Sequence, residues 1–509
     1  MSREPVTIGI DIGTSGAKGV ALAADGRVIA RAGAGYPLLT PRPGWTEQEP
    51  EDWWQGVVTT LRELAAAVAG HEIVALGLSG QMHGSVFVDQ AGTPIRPALL
   101  WNDARTHAEC VEIDRRLGAE RVIAITGNRA STGFQAPKLI WLRRNEPELA
   151  ARVAGLLLPK DFIRLRLTGD RATDAADASG TLFLDLRRRR YSDEMLAALD
   201  VPLSLLPEVF ESPEVTGRVT AGAAAATGLP VGTPVVAGGG DNACAAIGAG
   251  LIGEGHGVCS LGTSGTLFVH SMTARIDPDG ALNAFCDAVP GGYHLMGVIL
   301  AAGGSLGWVR DRIVGAEADL LAANGLDPFA VLLDGAAAVP AGAEGLLFLP
   351  YLAGERSPHM DPHARGAWVG LSLAHDRRHL VRALVEGVGF AFTDCLERMR
   401  DLGVEPPDIT LTGGGARGDL WRSVLAAQLR VPVTAGTAAD GPALGAAILA
   451  QVGAAVQPDL ASAVKASVAP PSPALRADPE LSEQYRQLHA RYRALYPALK
   501  AAGAFAGAP

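Results

Sequence analysis

The tetrapeptide Gly-Thr-Ser-Gly occurs twice in this chain, at 13–16 and at 262–265, about half a chain apart. Runs suited to strands flank each copy: Val6–Ile12 and Ala17–Leu22 around the first, Gly257–Leu261 and Thr266–His270 around the second. Strand, small-residue turn, strand predicts a hairpin in each half. Glycines let a ligand approach the backbone closely, and Thr and Ser hydroxyls with turn N–H groups offer donors to phosphate oxygens. Two such hairpins predict two related lobes gripping one polyphosphate from both sides. Two unrelated solvated turns would need neither the matching strand context nor the half-chain spacing.

At 509 residues the chain is too long for one core and predicts two domains of about 250 residues each. With 48% apolar and 19% charged residues it reads as a packed soluble protein. The apolar stretch around 221–260 is broken by Pro, Gly and Asp241, so no membrane partner is expected. The start, Met1–Pro5, runs straight into a strand without a leader pattern, which makes the cytoplasm the expected compartment. A net charge of −10 without a long basic run argues against nucleic acid. The one basic cluster, Arg187–Arg190, reads as a solvated loop or helix end. Five scattered cysteines (Cys110, Cys244, Cys259, Cys286, Cys395) have neither CxxC nor metal-site spacing and read as buried thiols.

Strands alternate with helix-like stretches, the pattern of an α/β fold. Residues 51–69 predict an amphipathic helix with Trp54, Val58, Leu61 and Leu64 on one face. Glu72–Leu78 and Pro234–Ala237 read as buried strands. Pro407–Thr412 reads as a strand leading to Gly413–Arg417 and a helix over 418–429; a peripheral helix is expected at 479–500. Ligands of open α/β sheets collect at the carboxyl ends of strands, where the sequence places Asp11, Gln81-Met82-His83, Asp241-Asn242 and Gly413–Gly415.

Asp11, beside the first hairpin, has two open readings: a Mg²⁺ ligand acting through water, or a turn residue capping the hairpin. Asp241 follows three glycines. It reads either as a turn and cap for a helix starting near Ala243 or as the general base that takes a proton from a substrate hydroxyl; the cost of ordering three glycines favours the base. His83, Trp101, Asn102 and Asp103 match the donor, acceptor and apolar surface of a polyhydroxylated ligand. Lys138 reads as a helix-start residue without a catalytic part.

Eight segments, in order along the chain, resemble the FGGY carbohydrate kinases of the actin/Hsp70/sugar-kinase superfamily. They are Ile8–Gly16, Gly80–Gly84, Leu100–Asp103, Leu158–Asp161, Gly238–Asn242, Ser260–Gly265, Phe348–Arg356 and Gly413–Arg417. The 138–141 stretch resembles one family signature, although Gln135 stands where a small residue is usual; the 366–386 stretch resembles the other, with Leu384 a mild departure. The resemblance implies two ribonuclease-H-like lobes around a central cleft: residues 1–247 for the sugar and 248–509 for the nucleotide. It implies ATP and Mg²⁺, transfer of phosphate to the 5-hydroxyl of D-xylulose, and allows a homodimer. Asp241 is implied as base and, with Asp11, as metal-linked carboxylate. Gln81, Met82, His83, Trp101, Asn102, Asp103 and Asn242 are implied on the sugar side, and Gly13, Thr14, Ser15, Lys18, Gly262, Thr263, Gly414, Gly415 and Arg417 on the ATP side. Alternatives stay open: a kinase of ribulose, gluconate or glycerol, a chaperone-like or filament ATPase, or a regulator without catalysis. Presence of both hairpins with Asp11 and Asp241 speaks against the last, and lack of a peptide-binding domain against the chaperone.

Overall fold

A computed structural model describes residues 3–436, 440–470 and 472–506. The first half builds a sheet from β1 (Pro5–Ile12), β2 (Gly16–Ala23), β3 (Val28–Gly35), β4 (Glu72–Gly80), β5 (Val215–Arg218), β6 (Pro234–Val236) and β7 (Gly239–Gly240). Its order is β5-β6-β4-β1-β2-β3, with β7 also pairing β4. The second half builds β8 (Gly257–Leu261), β9 (Gly265–Ser271), β10 (Asn283–Cys286), β11 (Tyr293–Ile299), β12 (Ile409–Gly413) and β13 (Val433–Ala435), ordered β10-β11-β9-β8-β12-β13.

The two sheets share one plan. Three antiparallel strands (β1, β2, β3; β8, β9, β11) are followed by two parallel ones (β4, β6; β12, β13). The expected α/β fold of two lobes is present, and both Gly-Thr-Ser-Gly turns close antiparallel hairpins. β1 and β4 are buried along nearly their whole length, as parallel neighbours covered on both faces must be.

In each lobe a helix precedes the first parallel partner. In the first it is α1 (Pro50–Ala67), begun by Pro50 and acidic Glu51 and Asp52, which suit the N-terminal dipole. The face read from the sequence, Trp54, Val58, Leu61 and Leu64, is buried with Trp53 and Val57. The helix after β7 is α2 (Asp241–Gly248), starting two residues earlier than expected. The corresponding helix of the second lobe is α3 (Arg377–Asp401), which opens on a capping box between Asp376 and His379. After β13 comes α4 (Gly441–Gly453), and the tail forms α5 (Pro479–Ala501), which buries Tyr485, Tyr492 and Tyr496. Arg187–Arg190 differs from expectation: Arg189 is paired with Glu211 at 2.7 Å and donates to the Gly292 carbonyl at 2.5 Å, because the loop folds back on β10 and β11. All five cysteines are buried and free. Among the described residues, no single helix is long and apolar enough to cross a membrane.

The two halves meet where α4, from late in the chain, lies on the first sheet. Gly9 of β1 and Gly77 of β4 are partners in register. A Cβ on Gly9 would stand 1.9 Å from the Ala443 carbonyl oxygen, and one on Gly77 1.9 Å from that of Ala446. The helix therefore rests backbone-on-backbone against the sheet, and its small residues (Ala443, Ala447, Ile448) share a core with Ala243, Cys244 and Ile247 of α2.

Gly9→Ala must push α4 off the sheet, and overpacking of this kind costs about 1–3 kcal/mol. Urea unfolding is expected to show a loss of that size, while Gly70→Ala, with no atom within 4 Å of the added methyl, stays within about 0.5 kcal/mol of the parent.

Candidate active site

The register of the first sheet brings the two candidate carboxylates together. Asp11 on β1 and Gly239 on β7 both partner Ser79 of β4, from opposite sides. Gly238 has φ +73°, and a Cβ there would strike the Leu78 carbonyl oxygen at 1.9 Å, so only glycine lets the 238–240 strap dock on β4. Asp241 follows at once as the first residue of α2. It is not the cap expected of a turn residue: Gly240 holds that position, and the Asp241 carboxylate accepts only the Asn242 N–H, at 2.7 Å.

Burial pushes the Asp241 carboxyl up to about 7, and the charge of Asp11 adds to this. Burial likewise raises Asp11 to about 6, against the pull of the Ser79 hydroxyl and the Lys18 cation, which faces it across the hairpin. Asp11 Oδ1 is buried and accepts no hydrogen bond. Two carboxylates are thus held in one water-poor corner with unused lone pairs. Among the described residues no cluster of three His, Cys, Asp or Glu forms a complete metal cage. The donor set, carboxylate oxygens in a partial shell, suits Mg²⁺, which keeps water and ligand phosphates in its coordination.

Side chains brace the first hairpin from behind. Gln81, buried, accepts from the Thr14 hydroxyl at 3.2 Å and donates to Gln48 at 2.9 Å. Gln48 in turn donates to the Thr14 carbonyl at 2.7 Å and accepts from Trp53 at 3.0 Å. Tyr36 donates to the Gly13 carbonyl at 2.6 Å. Trp101, largely exposed, donates its indole N–H to Thr14 Oγ1 at 3.1 Å. Thr14 and Gln81 hydroxyl and amide are consequently spent on shape, and Ser15 and Lys18 stay exposed at the turn.

In the second hairpin Gly262, Thr263 and Ser264 are exposed. The Thr263 carbonyl accepts from Ala302 at 3.0 Å and Gly304 at 2.9 Å, which seats the start of the 303–308 helix on the turn. Gly413 partners Leu261 at the end of β8, and Gly415 packs against the Leu261 side chain. The structure therefore gathers Gly262, Thr263, Gly414 and Gly415 at one sheet edge; the Arg417 side chain lies outside the described residues. The Ala302–Gly304 contact was not read from the sequence, and a second small-residue run after a strand (Ala301–Gly304) is the signal that carried it.

On the other side, Met82 touches the strap, with its sulfur 4.0 Å from the Asn242 amide nitrogen. His83 adopts φ +67°, and its Nδ1 lies 2.7 Å from the Gly180 carbonyl oxygen. A carbonyl can only accept, so Nδ1 carries the proton and Nε2 keeps a lone pair. Burial holds the ring down at about 3, with the Lys138 and Arg356 cations adding to the effect, so His83 is a neutral acceptor. Its ring packs edge-on against Phe134 at 4.7 Å and near Phe285 of the second lobe at 5.8 Å.

Two residues read as unremarkable prove to build this corner. Lys138 donates to the His83 carbonyl at 2.9 Å and to the Gly133 carbonyl at 2.5 Å, fixing the left-handed turn at His83; burial lowers its ammonium to about 7. Gln135 donates to the Gly84 carbonyl at 2.7 Å. The 101–103 triplet divides: Trp101 and Asn102 are exposed, Asn102 accepting from Thr46 at 2.7 Å, whereas Asp103 is fully buried. The Asp103 carboxylate is taken by Arg105 at 2.7 Å and the Thr46 N–H at 2.7 Å, so it holds the loop rather than facing a ligand. A charged cluster behind the strap was also missed: Lys160 reaches Asp161 at 2.6 Å, Asp174 at 2.7 Å and Asp177 at 3.5 Å, all buried. Burial and the surplus of carboxylates hold Asp174 and Asp177 above the usual range. Single residues of ordinary type, spread over 160–177, gave no periodic signal for it.

Comparison with known proteins agrees with this architecture. The profile of the FGGY family of carbohydrate kinases matches with its N-terminal domain at residues 6–248 and its C-terminal domain at 257–454. The chain is 42% identical over 448 residues to the xylulose kinase of Escherichia coli K12, covering 88% of this chain and 90% of that one. It is 39% identical over 448 residues to the xylulose kinase of Bacillus subtilis 168, covering 88% of each. A crystal structure of xylulose kinase from Rhodospirillum rubrum superposes with a TM-score of 0.89 at 34% identity, over 97% of this chain and 98% of the other. One of gluconate kinase from Lactobacillus acidophilus reaches 0.90 at 26% identity, over 97% and 98%. With two hairpins, a strap-borne aspartate and a match to both family domains over most of its length, the chain belongs to the FGGY family of carbohydrate kinases.

Proposed function

We propose that this protein transfers the γ-phosphoryl group of ATP to the 5-hydroxyl of D-xylulose, with Asp241 as general base. The observation that carries the reading is the pairing of Asp11 and Asp241 at the edge of β1, β4 and β7, with a neutral histidine acceptor on one side and a hairpin on the other. Similarity to xylulose kinases at 39–42% identity supports the sugar. Residues 1–247 then serve mainly the sugar and 248–509 the nucleotide, with α4 returning to the first sheet.

Asp241 accepts the proton of the 5-hydroxyl as that oxygen forms its bond to the γ-phosphorus and the bond from that phosphorus to the bridging oxygen breaks, leaving ADP. A carboxyl poised near 7 is matched to this task, because it is deprotonated at working pH yet basic enough to take the proton. His83 Nε2 and the Asn242 amide hold sugar hydroxyls. The exposed turns at 13–15 and 262–264 present backbone N–H groups to phosphate oxygens, and Lys18 adds a cation. Asp11, with its unused buried oxygen, and Asp241 are the residues that would hold Mg²⁺, whose charge offsets that of the phosphates and of the two carboxylates.

A coupled ADP-release assay with D-xylulose, D- and L-ribulose, gluconate, glycerol and no sugar tests the substrate. The expected result is highest kcat/KM for D-xylulose; preference for another member discards that sugar, and turnover indifferent to all of them discards the kinase reading. Asp241→Ala is expected to lower kcat at least about 100-fold while calorimetric ATP binding persists, and retained turnover would remove the base assignment.

The same carboxylate sets a pH-dependent stability. Its pKa is about 7 folded against 3.8 for the ordinary group, so between those values the folded chain keeps a proton that the unfolded chain has released. Stability therefore falls as pH rises through that window, and the full penalty stands above 7. Without Mg²⁺ or nucleotide, Asp241→Asn should melt above the parent at pH 8 and by a clearly smaller margin at pH 5; an equal margin at both contradicts the buried ionisable carboxylate.

A further inference from the structure

The Phe348–Arg356 segment has a distinctive end that the phosphoryl-transfer machinery does not use. Arg356 is largely buried, and burial lowers the affinity of its guanidinium for its proton. Among the described residues the guanidinium has neither a carboxylate partner nor a hydrogen-bond acceptor. The adjacent Glu355 is not its counter-ion. Glu355 Oε1 is turned to the backbone, accepting from Leu300 at 3.1 Å and from the Arg356 N–H at 2.7 Å. Burial also raises that carboxyl to about 8.

The loop itself is rigidly tied down. Ser357 N–H donates to the Val298 carbonyl at 2.9 Å, its hydroxyl donates to the Ala281 carbonyl at 2.8 Å, and Met360 N–H returns to the Arg356 carbonyl at 2.6 Å. These anchors fix Arg356 at the end of β11. Met296, Val298 and Leu300 of that stretch share one apolar cluster with Met82, Phe134 and Phe285, which surround His83. The Arg356 cation acts on the His83 ring, whereas the charge that acts on Asp241 is that of Asp11. Arg356 thus stands on the His83 side of the site, away from the reacting corner.

A buried cation without a partner is costly, and an arginine can only donate. What completes it must bring an oxygen acceptor. We propose that the Arg356 guanidinium, contributed by the second lobe, binds the carbonyl end of the sugar and selects ketoses over the corresponding polyols. This rests on the D-xylulose reading above. With Asp241 at the 5-hydroxyl and His83 between, the C1–C2 end is the part of the substrate left for Arg356, and a carbonyl oxygen is a pure acceptor where an alditol offers a hydroxyl that must also place its proton. The contact also joins the lobes through the substrate, since His83 comes from the first and Arg356 from the second.

The test compares wild type, Arg356→Met and Arg356→Lys on D-xylulose and on xylitol, its reduced form. In Arg356→Met the KM for D-xylulose should rise about 10- to 100-fold, the KM for ATP should stay within about twofold of wild type, and the preference for D-xylulose over xylitol in kcat/KM should collapse. Arg356→Lys, which keeps a donor and a charge, should recover part of that preference. An unchanged KM for D-xylulose, or an equal rise for both substrates, overturns the proposal. Should Arg356→Met fail to give a cooperative melt, Arg356→Gln is read by the same ratio. The substrate reading is judged on wild type alone and the Arg356 contact on the variant-to-wild-type ratio. A wild type that prefers a polyol without a carbonyl overturns both, and one that prefers another carbonyl-bearing sugar overturns only the former if the ratio against its alditol still collapses.

Discussion

The contact on which the rest of the molecule depends is the bare meeting of α4 with β1 and β4 at Gly9 and Gly77. There the last elements of the second lobe close over the first sheet with no side chains between them. Because α4 also packs on α2, the position of Asp241 at the head of α2 is fixed by residues some 200 places later in the chain. One layer of backbone contact thereby couples the union of the lobes to the placement of the carboxylate. Any side chain larger than hydrogen at Gly9 or Gly77 would act on the site through that layer.

The site holds charge where charge is expensive. Asp11 and Asp241 are kept near one another in a poorly solvated corner, and the Lys160 cluster keeps three further carboxylates just behind the strap. A fold selected for stability alone would not keep them there, since unpaired buried charge is destabilising. The arrangement makes sense as preorganisation: groups that must meet phosphates, a cation and a reacting hydroxyl are already fixed before those arrive. The duplicated topology sharpens the point. Ser260 occupies in the second hairpin the place of Asp11 in the first, and Asp440, at the head of α4 as Asp241 is at the head of α2, pairs at the surface with Arg31 at 2.8 Å. The plan was doubled, and the reactive carboxylates stayed in one half.

Much of the fold was legible because its signals are local. The two hairpins announce themselves by strand runs around a small-residue turn, α1 by apolar spacing, and the polar strand ends by the abrupt change from Val, Ile and Leu to Gly, Asp and Gln. The supports of the site were not legible. Lys138 looked like a helix-start residue because its bond to the His83 carbonyl spans 55 positions of sequence, and Gln135 looked like a departure from a pattern although it ties down the turn at Gly84. Asp103 looked available to a ligand, since nothing local reveals that Arg105 and the Thr46 N–H consume its oxygens.

The sequence by itself determined the class of fold, the doubling, the two glycine turns and the identity of Asp11, Asp241 and His83 as groups of interest, because each follows from residue type and short-range order. Tertiary structure alone decided which groups share a corner and in what state. Asp11 and Asp241 face one another only because β1 and β7 flank the same strand, and their proton affinities rise only because the packed lobes take water away. The same holds for His83, whose free nitrogen is set by a carbonyl 97 residues away. Desolvation and long-range pairing are properties of the assembled chain, and no stretch of sequence carries them.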